Sequence, residues 1–355
     1  MVSSVEVAMN TKLDRFERVR LAHLPTPLEF AKRLADHLDG PQIWIKRDDC
    51  TGLAFGGNKA RKLEFFMGEA LEKNSDTIVT MGPVQSNHVR MTAAAACKLG
   101  LDCHAVLVGH DRAQPTGNFL LDRLFNLKYT IVRKPLDRLP PGLVEKSIAD
   151  TIDRLVRKGR KPYLVPPGGS GPLGEISYAM AMQEMVTQSH GLGIEIDYVV
   201  TPVGSQGTLC GLILGKKMLQ LDTKLIGISV NLQDTCKLAG LPTIEEMVKK
   251  AGELIDVPVD VSPGDYELLY DYVGEGYGFP TKEGLASIEL MAEKEGILLD
   301  PTYTGKSMAG LIDLVSQGRF TKEDVVVYLH TGGTPNLFRD TTIFGFGGKR
   351  SESPS

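Results

Sequence analysis

The 355-residue sequence predicts an α/β protein built from two open parallel-sheet units. Three observations predict it. Short β-rich runs alternate with helix-like stretches, the pattern of parallel sheets covered on both faces and joined by right-handed crossovers. The length exceeds one typical core, so two units of roughly 100–200 residues are expected. Hydrophobic residues at 42% and charged residues at 24% are the proportions of a globular chain.

The chain opens with Leu24-Pro25-Thr26-Pro27-Leu28, a helix expected over Phe30 to Leu38, and the strand-like run Ile43-Trp44-Ile45-Lys46. A helix follows from Lys62 to Lys73. The first alternating unit then has β runs at Thr77 to Thr80, Cys103 to Val108, Tyr129 to Val132 and Pro162 to Val165, with helix-like stretches at 87–99, 117–126 and 142–158. A second unit begins near 172, with helix Gly174 to Gln188, strand Ile196 to Val200, helix 207–219, strand Leu225 to Val230, helix 281–295 and strand Val325 to Leu329. On 281–295, Leu285, Ile288 and Met291 or Ala292 recur at the spacing of a core-facing stripe. Residues 261–280 read as a loop, and Gly345 to Ser355 as a loose low-complexity tail.

Net charge of −4 and a pI near 6.0 offer no electrostatic footprint for nucleic acid or an anionic membrane. No apolar run reaches the length of a membrane span, and Met1 to Arg20 interleaves Glu6, Asp14 and Glu17 with basic residues, unlike a signal peptide. Five cysteines, Cys50, Cys97, Cys103, Cys210 and Cys236, contain no Cys-x-x-Cys, which argues against a disulfide framework or a metal site; they read as reduced and mostly packing. A cytoplasmic protein with a small-molecule partner is expected.

Ligands of open α/β sheets bind beyond the carboxyl ends of the strands, so the residues after each β run are the informative ones. Phe55-Gly56-Gly57-Asn58-Lys59-Ala60-Arg61-Lys62 places a lysine after two glycines. A lysine amine attacks an aldehyde once desolvation or nearby cations lower its pKa; Arg61 and Lys62 supply charge, and the glycines let the backbone approach a bound ring. The same octapeptide also reads as a basic surface turn. Gly82 to His88 ends at a helix start, where Ser86, Asn87, His88 and free N–H groups suit a carboxylate; helix capping by Ser86 or Asn87 is the other reading. Gly204, Ser205, Gln206, Gly207 and Thr208 form a small-residue loop opening a helix, a nest for a single phosphate or simply a tight turn. Asp300-Pro301-Thr302-Tyr303-Thr304-Gly305-Lys306 and His330-Thr331-Gly332-Gly333 follow the last apolar stretches; there Tyr303 could stack on a ring or relay a proton, and Thr331 could bond a ring nitrogen.

Together these stretches describe a pyridoxal 5'-phosphate enzyme. From about Leu24 to Gly333 the chain resembles the branch of the tryptophan-synthase-β-like family containing D-cysteine desulfhydrase, 1-aminocyclopropane-1-carboxylate deaminase and L-cysteate sulfo-lyase. The resemblance rests on Gly56-Gly57-Asn58-Lys59, Gln85-Ser86-Asn87-His88, Asp300-Pro301 with Tyr303 and Gly305-Lys306, and His330-Thr331-Gly332-Gly333. It implies a fold type II enzyme, usually a homodimer, in which residues 62–172 form a small α/β domain inserted into a large cofactor-binding one of 1–61 and 173–355. The alternation alone gave two consecutive units.

The resemblance further implies that Lys59 holds the cofactor as a Schiff base, Asn87 contacts the ring hydroxyl, and Gly204 to Thr208 cradle the phosphate. Ser86, with the backbone of Asn87 and His88, would bind the substrate carboxylate; Tyr303 would stack near the ring with Tyr277 close by. Thr304, which would join Ser86, Asn87 and His88 at the substrate, and Thr331 stand where the cyclopropane deaminases carry Glu and Leu, the pattern of the D-cysteine enzymes. The expected reaction is α,β-elimination, D-cysteine giving pyruvate, hydrogen sulfide and ammonia, with Lys59 or Tyr303 as base. Asp49-Cys50-Thr51-Gly52 and Tyr272 to Gly278 look like the L-cysteate enzymes. Cyclopropane deamination and cofactor binding without turnover are the remaining alternatives; intact Ser86, Asn87 and Tyr303 weigh against the last.

Overall fold

The structure, a computed structural model, describes residues 13, 15–110, 115–134, 139–140, 142–233, 235 and 242–345. Ten strands and ten helices organise these residues. The strands are β1 (Leu28–Phe30), β2 (Gln42–Lys46), β3 (Thr77–Pro83), β4 (Asp102–Val108), β5 (Lys128–Val132), β6 (Pro162–Leu164), β7 (Tyr198–Val203), β8 (Lys224–Ser229), β9 (Tyr266–Leu269) and β10 (Val325–Leu329). The helices are α1 (Lys32–Leu38), α2 (Lys59–Glu72), α3 (Asn87–Lys98), α4 (Gly117–Leu124), α5 (Leu143–Arg157), α6 (Pro172–Leu192), α7 (Gly207–Leu219), α8 (Ile244–Leu254), α9 (Lys282–Glu295) and α10 (Thr304–Ser316).

The strands form two open sheets, one ordered β1-β2-β10-β7-β8-β9 and the other β5-β4-β3-β6. Every pairing is parallel except β1 on β2, where Leu28 faces Lys46. β7 and β10 are buried along their whole length, as their unbroken apolar runs require of strands covered on both faces. On one face of the large sheet Ile176, Met182, Leu209, Ile213 and Val248 pack together from α6, α7 and α8; on the other, Leu34, Ile288, Met291, Met308 and Leu311 do so from α1, α9 and α10. A separate core joins the small sheet to α2 and α3 through Leu63, Met67, Ile78, Val89 and Leu107.

Several expectations are corrected. Phe30 belongs to an edge strand, and the first helix begins at Lys32. Residues 261–280 contain β9, a half-buried edge strand whose Tyr-Glu-Leu-Leu lacks clean alternation. Two helices lie outside the expected set, α8, opened by a Thr243/Glu246 capping box, and α10, whose first turn is capped from Asp300. Cys103 and Cys210 are buried, whereas Cys50 and Cys97 are exposed; Cys236 and nearly all of the tail lie outside the described residues. Among the described residues no helix is long and apolar enough to cross a membrane.

Candidate active site

Lys59 opens α2 immediately beyond the end of β2 and two short 3-10 turns. The glycines before it are there for backbone sterics. Gly56 has φ 66°, and a Cβ built on it would lie 1.8 Å from the Asp49 carbonyl oxygen; a Cβ on Gly57, at φ 134°, would meet the Thr331 carbonyl at 3.0 Å. On the opposite wall a Cβ at Gly332 would lie 2.6 Å from the Gly57 Cα. The pair thus has a backbone reason of its own: the bulk they lack would collide with the loops after β2 and β10. Asn58 completes the seam, its N–H donating to Thr331 O at 3.0 Å and its amide to Thr208 Oγ1 at 3.0 Å.

Burial, and then the neighbouring Lys62, hold the Lys59 amine well below an ordinary lysine pKa. Arg61 contributes no free charge. Its guanidinium is spent on Asp48, at 2.8 and 2.9 Å, and on Glu184, at 2.7 and 2.9 Å. Lys59 Nζ lies 3.6 Å from where a Gly168 Cβ would stand, and that same Cβ would fall 2.1 Å from Ser205 Oγ, so the amine and the 204–208 loop converge on one small space.

In that loop Gln206 sits in the left-handed region before α7, and Gly207 donates to Ser205 O at 2.8 Å. Intrahelical bonding resumes where Cys210 donates to Gln206 O, which leaves the N–H groups of Thr208 and Leu209 without a partner among the described residues. Ser170 Oγ donates to Ser205 Oγ at 2.8 Å, and Asn231 holds the Gly204 carbonyl at 2.9 Å. The Tyr303 ring closes the other side, 3.2 Å from a Cβ position on Gly204. A nucleophilic amine, a helix N-terminus with open donors and an aromatic wall within one cradle fit pyridoxal phosphate.

The 85–90 stretch, a turn running into the first turn of α3, follows β3. Ser86 caps α3 by accepting from Val89 N–H at 3.2 Å, so the capping reading holds, while its hydroxyl proton has no acceptor among the described residues. Asn87 Oδ1 accepts from Arg90 at 3.0 Å and from Asn118 at 2.8 Å. Arg90, fully buried, also donates to Asn118 Oδ1 and to the Gly56 carbonyl, at 2.8 and 2.9 Å. Asn118 ties this web to Gln85 and, at 3.2 Å, to Asn336. His88 is turned into the small sheet instead of toward the cradle, 2.7 Å from Thr80 Oγ1. Because Thr80 donates to Val165 O, His88 carries its proton on Nε2; burial, then Lys59 and Lys62, keep the ring neutral.

Tyr303 and Tyr277 share a hydrogen bond of 2.5 Å with their rings edge to face. Burial raises both phenols, Tyr277 to about 12 and Tyr303 well above its ordinary value. Lys306 fixes the Tyr277 loop by donating to the carbonyls of Val273 and Gly276 at 2.6 and 2.9 Å. Thr304, expected at the substrate, faces Asp300 instead: its hydroxyl donates to Oδ1 at 2.9 Å and accepts from Asp300 N–H at 2.7 Å. Thr331 is buried on the seam, its carbonyl taken by Asn58. The sequence reading missed Arg90, Asn118 and the Gly168-Gly169-Ser170 loop; only the last left a local signal, in its Pro-Pro-Gly-Gly composition. No cluster of three or more metal-ligating side chains occurs among the described residues.

Residues 19–332 match the family model described as pyridoxal-phosphate dependent enzyme. The chain is 42% identical over 334 residues to a D-cysteine desulfhydrase of Klebsiella pneumoniae (strain 342), covering 92% of this chain and 97% of that protein. It is 42% identical over 335 residues to another from Serratia proteamaculans (strain 568), covering 93% and 98%. Among solved structures, one described as an ACC deaminase homologue superposes with a TM-score of 0.84 at 37% identity, covering 95% of this chain and 98% of its own.

Proposed function

The chain belongs to the pyridoxal-phosphate dependent enzyme family, and on that premise we propose that it is a carbon–sulfur lyase that converts D-cysteine to pyruvate, hydrogen sulfide and ammonia. The observation that carries this reading is the 42% identity to D-cysteine desulfhydrases over more than nine-tenths of both chains. When bound, the cofactor supplies the electron sink for negative charge at the substrate α-carbon. The residues supply the rest. Lys59, kept as a neutral amine, would hold the cofactor through its aldehyde carbon and would serve as the base that takes the substrate α-proton. Tyr303 and Tyr277 are phenols held protonated, and so serve as a donor pair beside the departing sulfur rather than as the base.

The open N–H groups of Thr208 and Leu209, with Gly204, Ser205, Gln206 and Gly207, hold the phosphate. Ser86 offers its free hydroxyl proton to the substrate carboxylate. Asn87, oriented by Arg90 and Asn118, would hold the ring hydroxyl, and Thr331 would supply a neutral partner for the ring nitrogen. A neutral partner there suits loss of a good β leaving group, which needs less carbanion stabilisation than opening a cyclopropane.

We further propose the division into 1–61 with 173–355 and an inserted 62–172, because β1 and β2 share a sheet with strands after 198 whereas 77–164 form their own. A cytoplasmic homodimer is the assembly we infer; the four described cysteines are unpaired, in keeping with a reducing compartment. Light scattering tests the dimer. The reaction is tested by measuring pyruvate from D-cysteine, L-cysteine and L-cysteate beside 2-oxobutyrate from 1-aminocyclopropane-1-carboxylate. D-cysteine should be turned over fastest; faster release from L-cysteate, or efficient 2-oxobutyrate formation, would overturn the assignment.

A further inference from the structure

A second lysine lies one turn beyond Lys59 on the same helix face, and its environment is unusual. Lys62 is fully buried, and its Nζ has no hydrogen-bond partner. Glu175, on the first turn of α6, is likewise fully buried with both carboxylate oxygens unpartnered. Charged groups left in this way are costly unless each offsets the other. Glu175 stands one turn before Tyr178, the residue that Lys62 faces, where α6 and α7 are pressed together: a Cβ on Gly211 would lie 2.4 Å from the Glu175 carbonyl oxygen and from Tyr178 Cβ, so glycine there lets α7 ride against α6. Lys62 Nζ stands 5.7 Å from the Tyr178 ring centroid, and its stem packs beside Gly169.

We propose that Lys62 and Glu175 form a buried charge pair that keeps the Lys59 amine neutral, Lys62 acting as a positioning residue through its charge. This rests on Lys59 being the amine that captures the aldehyde. A cation one turn away disfavours a second cation, and Glu175 is what retains the proton on Lys62. The groups facing Lys62 are Lys59 on its own helix, Glu175 and Tyr178 on α6, Cys210 on α7 and His88 on α3, while Lys250 on α8 acts on Glu175. Burial pulls Lys62 down to about 8 against the attraction of Glu175, and pushes Glu175 up to about 7 against that of Lys62, so the pair balances near neutral pH.

The test is covalent capture of pyridoxal, which has no phosphate, by the full-length protein freed of cofactor, followed spectroscopically across pH, with borohydride reduction and peptide mapping to locate the adduct. Lys62→Met should raise the pH midpoint of capture by about one unit, slowing it about tenfold at neutral pH. Glu175→Gln should shift it the same way, because Lys62 then loses its counter-charge, while Lys62→Arg should leave it near wild type. Unchanged midpoints in both Lys62→Met and Glu175→Gln, with wild-type capture at Lys59, overturn the proposal. So does weakened binding of pyridoxal 5'-phosphate with no midpoint change, which would make Lys62 a phosphate contact. If Lys62→Met melts too low to assay, Glu175→Gln and Lys62→Arg decide alone. Wild-type capture at another lysine instead refutes the role of Lys59.

Discussion

The lysine loop and the 85–90 stretch, joined by the Arg90 bond to the Gly56 carbonyl, are held in place by opposite means. The lysine loop is fixed by what its residues lack: Gly56, Gly57 and Gly332 let three backbone segments touch, and a charged anchor of Arg61, Asp48 and Glu184 lies beneath them. The 85–90 stretch is fixed by what its residues carry, a web of amides and one guanidinium through Gln85, Asn87, Arg90, Asn118 and Asn336. One should therefore be intolerant of added bulk and sensitive to acid, the other sensitive to trimming and indifferent to acid.

The largest effect is expected from Gly56→Ala. A methyl group 1.8 Å from a carbonyl oxygen, at positive φ, has to displace the loop, and a loss of about 3 kcal/mol or more with loss of aldehyde capture should follow. Urea unfolding checks it; stability within a few tenths of wild type would mean that the seam is slack.

The charged anchor should give way in acid. Burial would raise Glu184, but the bonds and charge of Arg61 and then Lys46 outweigh it and hold its carboxyl at about 2. A folded value below the unfolded one contributes stability above about pH 4.5 that is lost as pH falls towards about 2, on the order of 3 kcal/mol in all. The desolvation that lowers Lys46 offsets part of this. Glu184→Gln should be less stable at neutral pH and show a flatter acid limb, and a limb parallel to wild type would assign acid sensitivity elsewhere.

Arg90→Met probes a side chain that serves both stretches. It leaves the Gly56 carbonyl and Asn118 Oδ1 without this donor, which should cost about 2–3 kcal/mol. In a double-mutant cycle with Asn118→Ala the two losses should fall short of additive by at least about 0.5 kcal/mol. Strict additivity would dissolve the web into separate contacts. The smallest change is Ser86→Ala, which removes a cap worth about 1 kcal/mol and should raise KM for D-cysteine more than it lowers the melting temperature. Unchanged KM would leave Ser86 a cap alone.

This contrast also explains what the sequence disclosed. Gly56 to Lys59 and Gly204 to Thr208 stood out because their pattern is local: small residues at a strand-to-helix junction. The web did not, since its bonds join residues up to 218 positions apart and each member reads alone as an ordinary polar residue. Thr304 faces away from its expected place for a local reason: Asp300 four residues earlier accepts from its hydroxyl and donates its own N–H to the same oxygen. β1 and β9 were missed because edge strands need only one paired side and little apolar patterning.

The sheet order sets a timetable for biosynthesis. β10 lies between β2 and β7, so the strand leading to Lys59 gains its central neighbour only after about 280 further residues have been made. At a synthesis rate of roughly 5–20 residues per second, β2 and the lysine loop wait on the order of 15–55 s for β10, Thr331 and Gly332. The small sheet is finished long before. A nascent chain thus carries all the strands of the small sheet beside a lysine-loop seam that closes only once β10 and the Thr331–Gly332 turn have been made.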